Sequence, residues 1–293
     1  MTFPETTVRS FAKINWSLRV LRRRPDGFHD IETVFQTISL CDDLTFRPAN
    51  RLMLTCSDPR IPVDESNLVL RAWRVVAERG PIPEVAIHIE KRIPSGGGLG
   101  GGSSNAATTL LTLNRIFDLR IEGGELHELA ARLGSDVPFF LMRGTAFATG
   151  RGERLEPLPD AGGIPLLLVF PDESMSTADA YVALRRSETA TVEPESPSSW
   201  ENRIRSGVLE SPEVLVNDFA EPFFAKFPVY LEVIERLIEY GASKAMLCGS
   251  GSTIFGAFES RDSRDRAARA ARARWRVAAV ETVGRDETAT SEE

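Results

Sequence analysis

One stretch of this chain is built to hold an anion. Pro94-Ser95-Gly96-Gly97-Gly98-Leu99-Gly100-Gly101-Gly102-Ser103-Ser104-Asn105 places six glycines in seven positions. Before it, Val85, Ile87 and Ile89 alternate as a strand would. After it, Ala106, Leu110, Leu113 and Phe117 recur at helical spacing, so a helix is expected to open on Ser103 or Ser104 as N-cap. Glycines leave backbone N–H groups unshielded, and a helix start adds unpaired donors and the positive end of its dipole. Together they suit a polyphosphate. The loop lacks the Gly-Lys-Ser/Thr of a Walker A motif. Gly96-x-Gly98-x-x-Gly101 fits a dinucleotide fingerprint formally, with Glu122 as its acid. A glycine-saturated run matches that pattern by chance, however, and only a three-residue candidate strand precedes Glu122.

Other residues could act beside such a loop. Of 35 basic residues only Lys13, Lys91, Lys226 and Lys244 are lysine. A lysine in an arginine-preferring chain hints that a compact point charge is wanted. Lys13 and Asn15 fall opposite Ile14 and Trp16 on an extended segment, residues 8–20, whose plain reading is a strand with one solvated side. Pro25-Asp26-Gly27 signals a turn that lifts Phe28 and His29 to its tip, where an aromatic beside an imidazole suits a flat ligand. Asp136, ahead of Val137-Pro138, has the ordinary use of a helix N-cap. Tyr181 lies on a helix where an aromatic serves a core or a ligand equally well.

The elements that position these residues fall into two groups. Strands are expected over 31–40, 43–46 and 52–56, a helix from Ser66 or Asn67 to residue 78, and a second helix over 125–133 with Gly134 as C-cap. A hairpin over 145–149 and 153–155 follows. Pro157-Leu158-Pro159-Asp160-Ala161-Gly162-Gly163 suggests a domain boundary, giving an N-terminal nucleotide-binding domain over 1–160 and a second domain over 161–285. In the second, strand 164–170, helix 176–186, a polar linker 187–198, helices over 217–225 and 229–240, strands 244–248 and 253–258, helix 263–274 and strand 276–282 give a ferredoxin-like order. Residues 286–293 read as a disordered tail.

Composition narrows the function. At 293 residues and net charge −7, nothing in the overall charge points to nucleic acid or an anionic membrane. It has no apolar run of about 18 residues, the minimum to cross a bilayer, and residues 1–13 lack the apolar core of a signal peptide. Three cysteines without pairing or metal-like spacing, Cys41, Cys56 and Cys248, fit a reducing cytoplasm. No nucleic-acid or membrane partner is expected, and the protein is expected as a monomer or homodimer.

With three motifs in order, the chain resembles the GHMP-type small-molecule kinases, the family of galactokinase, homoserine kinase and mevalonate kinase. Ala12-Lys13-Ile14-Asn15 is similar to the family's first motif, residues 94–104 to its phosphate loop, and Leu247-Cys248-Gly249-Ser250-Gly251-Ser252-Thr253 to its third. The resemblance implies an α+β, two-domain fold: a mixed α/β N-terminal domain with the phosphate loop and a ferredoxin-like C-terminal domain. It implies ATP as phosphoryl donor and Mg²⁺ as cofactor, with Ser103 or Ser104 as candidate metal ligands. Within the family, Pro25-Asp26-Gly27-Phe28-His29, Lys91-Arg92-Ile93-Pro94 and Gly134-Ser135-Asp136-Val137-Pro138-Phe139 resemble the branch acting on a cytidine diphosphate-linked methylerythritol. That branch phosphorylates the acceptor's 2-hydroxyl in the non-mevalonate route to isoprenoid precursors. Matched residue by residue, Asp136 takes or orients the hydroxyl proton and Lys13 is the catalytic lysine beside it. Asn15 lies near the reacting end and Lys91 near the nucleotide. His29 stacks on and hydrogen-bonds the cytosine, with Tyr181 on its other face. Phe28 stands where tyrosine is usual, Arg22 or Arg23 replaces a glycine before the turn, and Cys248 replaces a smaller residue. The alternatives are another branch of the family, of homoserine or mevalonate type, and a nucleotide-binding regulator that would need neither Lys13 nor Asp136.

Overall fold

The computed structural model describes residues 3–187, 195–207, 209 and 216–289. Its spine is a long antiparallel hairpin, β1 (Thr6–Arg23) and β2 (His29–Pro48). The hairpin turns at Pro25-Asp26-Gly27, where Gly27 has φ 86° and Asp26 Oδ1 accepts the Phe28 N–H at 3.1 Å. Two strands were expected where β2 runs as one. A bulge opposite Phe11 and Ala12 absorbs residues 39 and 40, so pairing resumes at Cys41 and the strand continues. β1 has no solvated side over its middle: Ile14, Trp16, Lys13 and Asn15 are all buried. One face meets the helices of the N-terminal half and the other the second sheet.

Beyond the hairpin come β3 (Met53–Cys56), α1 (Leu68–Ala77), β4 (Val85–Glu90), α2 (Gly101–Ile116), α3 (Gly123–Leu133), α4 (Val137–Met142), β5 (Thr145–Thr149) and β6 (Arg154–Pro157). Asn67 caps α1 by accepting the Val69 N–H. The sheet runs β3-β4-β2-β5-β6, with β1 along the other edge of β2. Helices α1 to α4 cover one face around Phe35, Phe46, Leu110, Leu113 and Phe139. Gly134 ends α3 at φ 172°, in extended rather than left-handed backbone.

The second half contains β7 (Pro165–Phe170), α5 (Thr177–Leu184), α6 (Pro197–Arg205), α7 (Ala220–Lys226), α8 (Leu231–Glu239), β8 (Lys244–Leu247), β9 (Ile254–Ala257), α9 (Arg261–Ala271), β10 (Arg276–Glu281) and α10 (Arg285–Ala289). Its sheet order is β10-β7-β9-β8 with antiparallel neighbours, the ferredoxin-like arrangement. Helix α6 begins inside the stretch expected as linker: Ser196 caps it, Pro197 sits in its first turn, and Trp200 anchors it in the core. The rest of that stretch, 188–194, lies outside the described residues. The expected disordered tail starts as α10 through residue 289, and 290–293 lie outside the described residues.

The two sheets share a core. Ala12, Ile14 and Trp16 of β1 pack with Leu166, Leu168, Met246 and Phe255 of the second sheet. The Trp16 and Phe255 rings meet edge to face at 5.7 Å and 78°. The chain also returns to the first sheet after β10: Val283 N–H donates to Thr37 O at 3.0 Å, and Gln36 Nε2 donates to Val283 O at 3.1 Å. Trp16→Ala should therefore cost roughly 3–5 kcal/mol of unfolding free energy, as for other buried tryptophans. Urea denaturation checks it; a loss below about 1 kcal/mol, well under that range, would mean the halves are joined elsewhere.

Candidate active site

The glycine loop is fixed by what its backbone must pass. Gly98 has φ 75°, and a Cβ there would lie 2.1 Å from the Cys248 carbonyl oxygen. The third motif therefore packs directly on the loop: Thr253 N–H donates to Gly97 O at 3.3 Å, and Cys248 Sγ lies 3.4 Å from Gly98 O. Asn217, absent from the sequence-based candidates, steadies that motif by donating from Nδ2 to Leu247 O and Gly249 O, both at 2.8 Å.

Helix α2 starts earlier than the serines suggest. Gly100, at φ 70°, is its N-cap, where a Cβ would meet Phe140 at 2.6 Å. The first helical hydrogen bond runs from Ser104 N–H to Gly100 O at 2.8 Å. The N–H groups of Gly101, Gly102 and Ser103 are thus the helix-end donors left for a ligand. The expected capping role of Ser103 or Ser104 is not found. Ser104 is buried, donating to Phe11 O at 2.6 Å and sharing a hydrogen bond with Ser10 Oγ.

This loop forms one wall of a cleft of about 1240 Å³. Lys13, Asn15, Phe28, His29, Lys91, Asp136, Tyr181, the loop from Pro94 to Ser103, and Gly249 to Gly251 all line it. Of the candidate site residues only Ser104 does not.

Lys13 is held rather than free. Its Nζ donates to Asn15 Oδ1 and to Gly98 O, each at 2.7 Å, which leaves one of three protons for a ligand. Asn15 is oriented in turn, Nδ2 donating to Thr33 Oγ1 at 2.7 Å. The Lys13 ammonium lies 5.4 Å from the Phe35 ring centre. Asp136 occupies the N-cap position of α4 yet makes no cap hydrogen bond, so its ordinary use is not the one found. Among the described residues no ion pair joins Lys13 to Asp136; they face the same cleft across a gap.

The far end of the cleft is aromatic. His29 and Tyr181 stack at 4.6 Å and 18°, and Phe219 meets Tyr181 edge-on at 4.9 Å. A base enters between His29 and Tyr181 only if their planes part to about 7 Å, two stacking thicknesses. Burial lowers the His29 pKa below the usual 6.5, and the Arg23 charge adds to this, so the imidazole is neutral at pH 7. Burial, and then the Asp136 carboxylate, raise the Tyr181 phenol well above its ordinary value. Phe28 is half exposed, with the Arg151 guanidinium 4.8 Å from its ring centre. No spacing signal in the sequence marks Arg151, between β5 and β6, or Phe219, immediately before α7.

Lys91 has a partner of its own. It lines the cleft, but its ammonium donates to Asp42 Oδ2 at 2.7 Å and to the Ile93 carbonyl. Asp42, a fully buried carboxylate, was not singled out in the sequence because nothing in Cys41-Asp42-Asp43 tells a buried acid from an exposed one.

A ferredoxin-like half fused to a mixed α/β half, with a glycine-lined cleft between them, defines a GHMP kinase. Residues 67–144 match the GHMP kinases N terminal domain and residues 203–277 the GHMP kinases C terminal domain. The chain is 43% identical to 4-diphosphocytidyl-2-C-methyl-D-erythritol kinase of Chlorobium phaeobacteroides (strain BS1), over 86% of this chain and 89% of that one. It is 41% identical to the Salinibacter ruber enzyme of the same name, over 85% and 88%. A crystal structure of 4-(cytidine 5'-diphospho)-2C-methyl-D-erythritol kinase superposes with a TM-score of 0.80 at 37% identity, covering 95% of this chain and 99% of that one. The homoserine kinase of Cytophaga hutchinsonii, at 19% identity and a TM-score of 0.64 over 95% of each chain, shares the fold. The chain belongs to the 4-diphosphocytidyl-2-C-methyl-D-erythritol kinase family.

Gly98→Ala tests the loop. Left-handed strain costs on the order of 1–3 kcal/mol, and the Cβ would also drive the third motif away. ADP affinity by isothermal titration should fall at least ~10-fold, each factor of ten being about 1.4 kcal/mol. Unchanged affinity would show that the loop does not hold the phosphates.

Proposed function

We propose that this chain transfers the γ-phosphoryl group of ATP to the 2-hydroxyl of 4-diphosphocytidyl-2-C-methyl-D-erythritol, using Lys13 and Asp136. The observation that carries the reading is the meeting of a held ammonium, an uncapped carboxylate and a ring of backbone donors in one cleft. ATP lays its phosphates along the loop and the N-terminus of α2, with N–H groups as donors. Asp136 accepts the hydroxyl proton as the acceptor oxygen bonds to the γ-phosphorus, and the bond from that phosphorus to ADP breaks. Lys13 offsets charge on the transferring group with its remaining proton. Asn15 sets the direction of that ammonium. The cytosine inserts between His29 and Tyr181, which part to receive it, beside Phe28. A neutral imidazole suits this role because it offers one donor and one acceptor.

Among the described residues no three carboxylates, imidazoles or thiols converge on one point. That fits Mg²⁺, which is commonly bound through substrate phosphates and few protein groups. The Ser103 hydroxyl, at the helix start and on the cleft, would hold it. The ion would neutralise charge on the ATP phosphates. The three cysteines are free thiols, which fits our placement of the reaction in the cytoplasm. Among the described residues no helix is long and apolar enough to cross a membrane.

Purified protein with ATP, Mg²⁺ and the cytidylyl acceptor should release ADP; turnover on homoserine or mevalonate instead would overturn the substrate assignment. Asp136→Asn should lower kcat by roughly 10²–10⁴-fold, the scale of a lost general base; a wild-type rate would remove Asp136 from the chemistry.

His29 gives a pH test. Its folded pKa lies below 6.5, so the midpoint of its protonation lies on the acid side of 6.5. KM for the acceptor should be constant at alkaline pH and climb on acidification with a midpoint below 6.5. His29→Ala should raise KM and abolish that climb. A midpoint above 6.5, or a KM unchanged in the variant, would contradict the assignment.

A further inference from the structure

Asp42 is fully buried and takes no part in the chemistry described above, yet both of its oxygens are occupied twice. Oδ1 accepts the backbone N–H groups of Arg92 and Ile93, each at 2.8 Å. Oδ2 accepts Lys91 Nζ at 2.7 Å and Asn105 Nδ2 at 3.0 Å. A carboxylate is costly to bury unless charge and hydrogen bonds compensate it, and here four donors do so. The donors are not scattered. Three belong to residues 91–93, where the chain leaves β4, and the fourth to Asn105 in the second turn of α2. Between these two anchor points lies the whole glycine loop. Lys91 carries the link further, because its ammonium also reaches Ile93 O and lies 3.1 Å from where a Cβ on Gly101 would stand.

We propose that Asp42 is a positioning residue for ATP: it buckles the two ends of the phosphate loop together and sets the span across which the loop's N–H groups converge. The inference rests on the reading that ATP phosphates sit in this loop. A run of glycines has many backbone states to lose, so it does not hold a cupped shape unaided. The third motif supports the loop at its middle, through Gly97 and Gly98. Asp42 supports its ends. The buckle also accounts for Lys91: its ammonium serves the loop's shape, and its charge is matched by Asp42 rather than held for the nucleotide. Asp42 sits where β2 resumes pairing after its bulge, opposite Ser10. The carboxylate is therefore carried by the rigid spine, and the mobile-prone glycines are tied to it.

Asp42→Asn keeps the shape but turns one oxygen into a donor that must face other donors. KM for ATP and Kd for ADP, by isothermal titration, should rise about 10–100-fold, the range for losing hydrogen bonds to a buried charge. KM for the cytidylyl acceptor, and kcat at saturating ATP, should stay within about twofold. Amide hydrogen exchange over 94–104 should quicken while that of β7 and β9 does not. A folded Asp42→Asn protein with wild-type KM for ATP, or one in which both KM values rise together, would overturn the proposal. Should that variant not fold, Asn105→Ala keeps the Asp42–Lys91 pair and releases only the helix side. It should raise KM for ATP severalfold with the acceptor KM unmoved, and no change in KM for ATP would equally overturn the buckle. Failure of the wild-type protein to bind ADP would instead overturn the nucleotide site itself, and the buckle with it.

Discussion

Two glycine-rich segments, one from each half of the molecule, touch backbone to backbone. This contact is the constraint from which the site follows. Gly98 passes so close to the Cys248 carbonyl that no side chain fits between them. A surface of bare backbone is what a polyphosphate needs, because N–H groups can reach it from several directions without steric shielding. Bare backbone is also conformationally expensive to order. The fold resolves the conflict by pressing the loop between rigid elements. Gly100 packs on Phe140 of α4, Gly98 on the third motif, and Lys13 of the central hairpin grips the Gly98 carbonyl. Each partner comes from a different element, so the loop is held only once both halves have folded together.

The same closure decides the electrostatics. The chain is acidic overall, with 35 basic and 42 acidic residues, yet the cleft presents a lysine, Lys13, inside a low-dielectric wall. A charge there acts more strongly than on the surface. It is also kept from wandering: Asn15 and the Gly98 carbonyl fix its position, and Thr33 fixes Asn15. The aromatic end is tuned differently. Burial lowers the His29 pKa and raises that of Tyr181, so the two stacked rings themselves carry no charge at pH 7.

Much of this was legible in the residues alone, for identifiable reasons. The loop announces itself by composition, and the strand before it and the helix after it by period. The Pro-Asp-Gly turn fixes where Phe28 and His29 emerge. What the sequence hid was burial. Lys13 and Asn15 alternate with apolar residues as if on a solvated face, but the second sheet covers one side of β1 and the helices the other. Ser103 and Ser104 looked like caps because serine is a good one, whereas a glycine in left-handed backbone took the position. Helix α6 was concealed by the polar residues around its serine cap, although Pro197 and Trp200 were in plain view. Lys91 lines the cleft, and its pairing with Asp42 leaves no local pattern because the two residues, one on β2 and one just past the neighbouring β4, are far apart in sequence.

Two aspartates show how far environment, not residue type, sets a role. Asp42 and Asp136 both border the phosphate loop's surroundings. Asp42 is sealed from solvent and saturated by four donors, so its lone pairs are spent and its charge is matched by Lys91. A carboxylate in that state is a structural anchor. Asp136 opens α4 without capping it, faces the cleft, and accepts no hydrogen bond among the described residues. Its side-chain oxygens are left open to the cleft. Moving protons requires an acceptor that the fold has left unsatisfied, and such a group is tolerable only where a ligand or solvent can reach it. The two acids differ in surroundings, not in type: one is enclosed by donors at the ends of the glycine loop, the other is left open on the cleft.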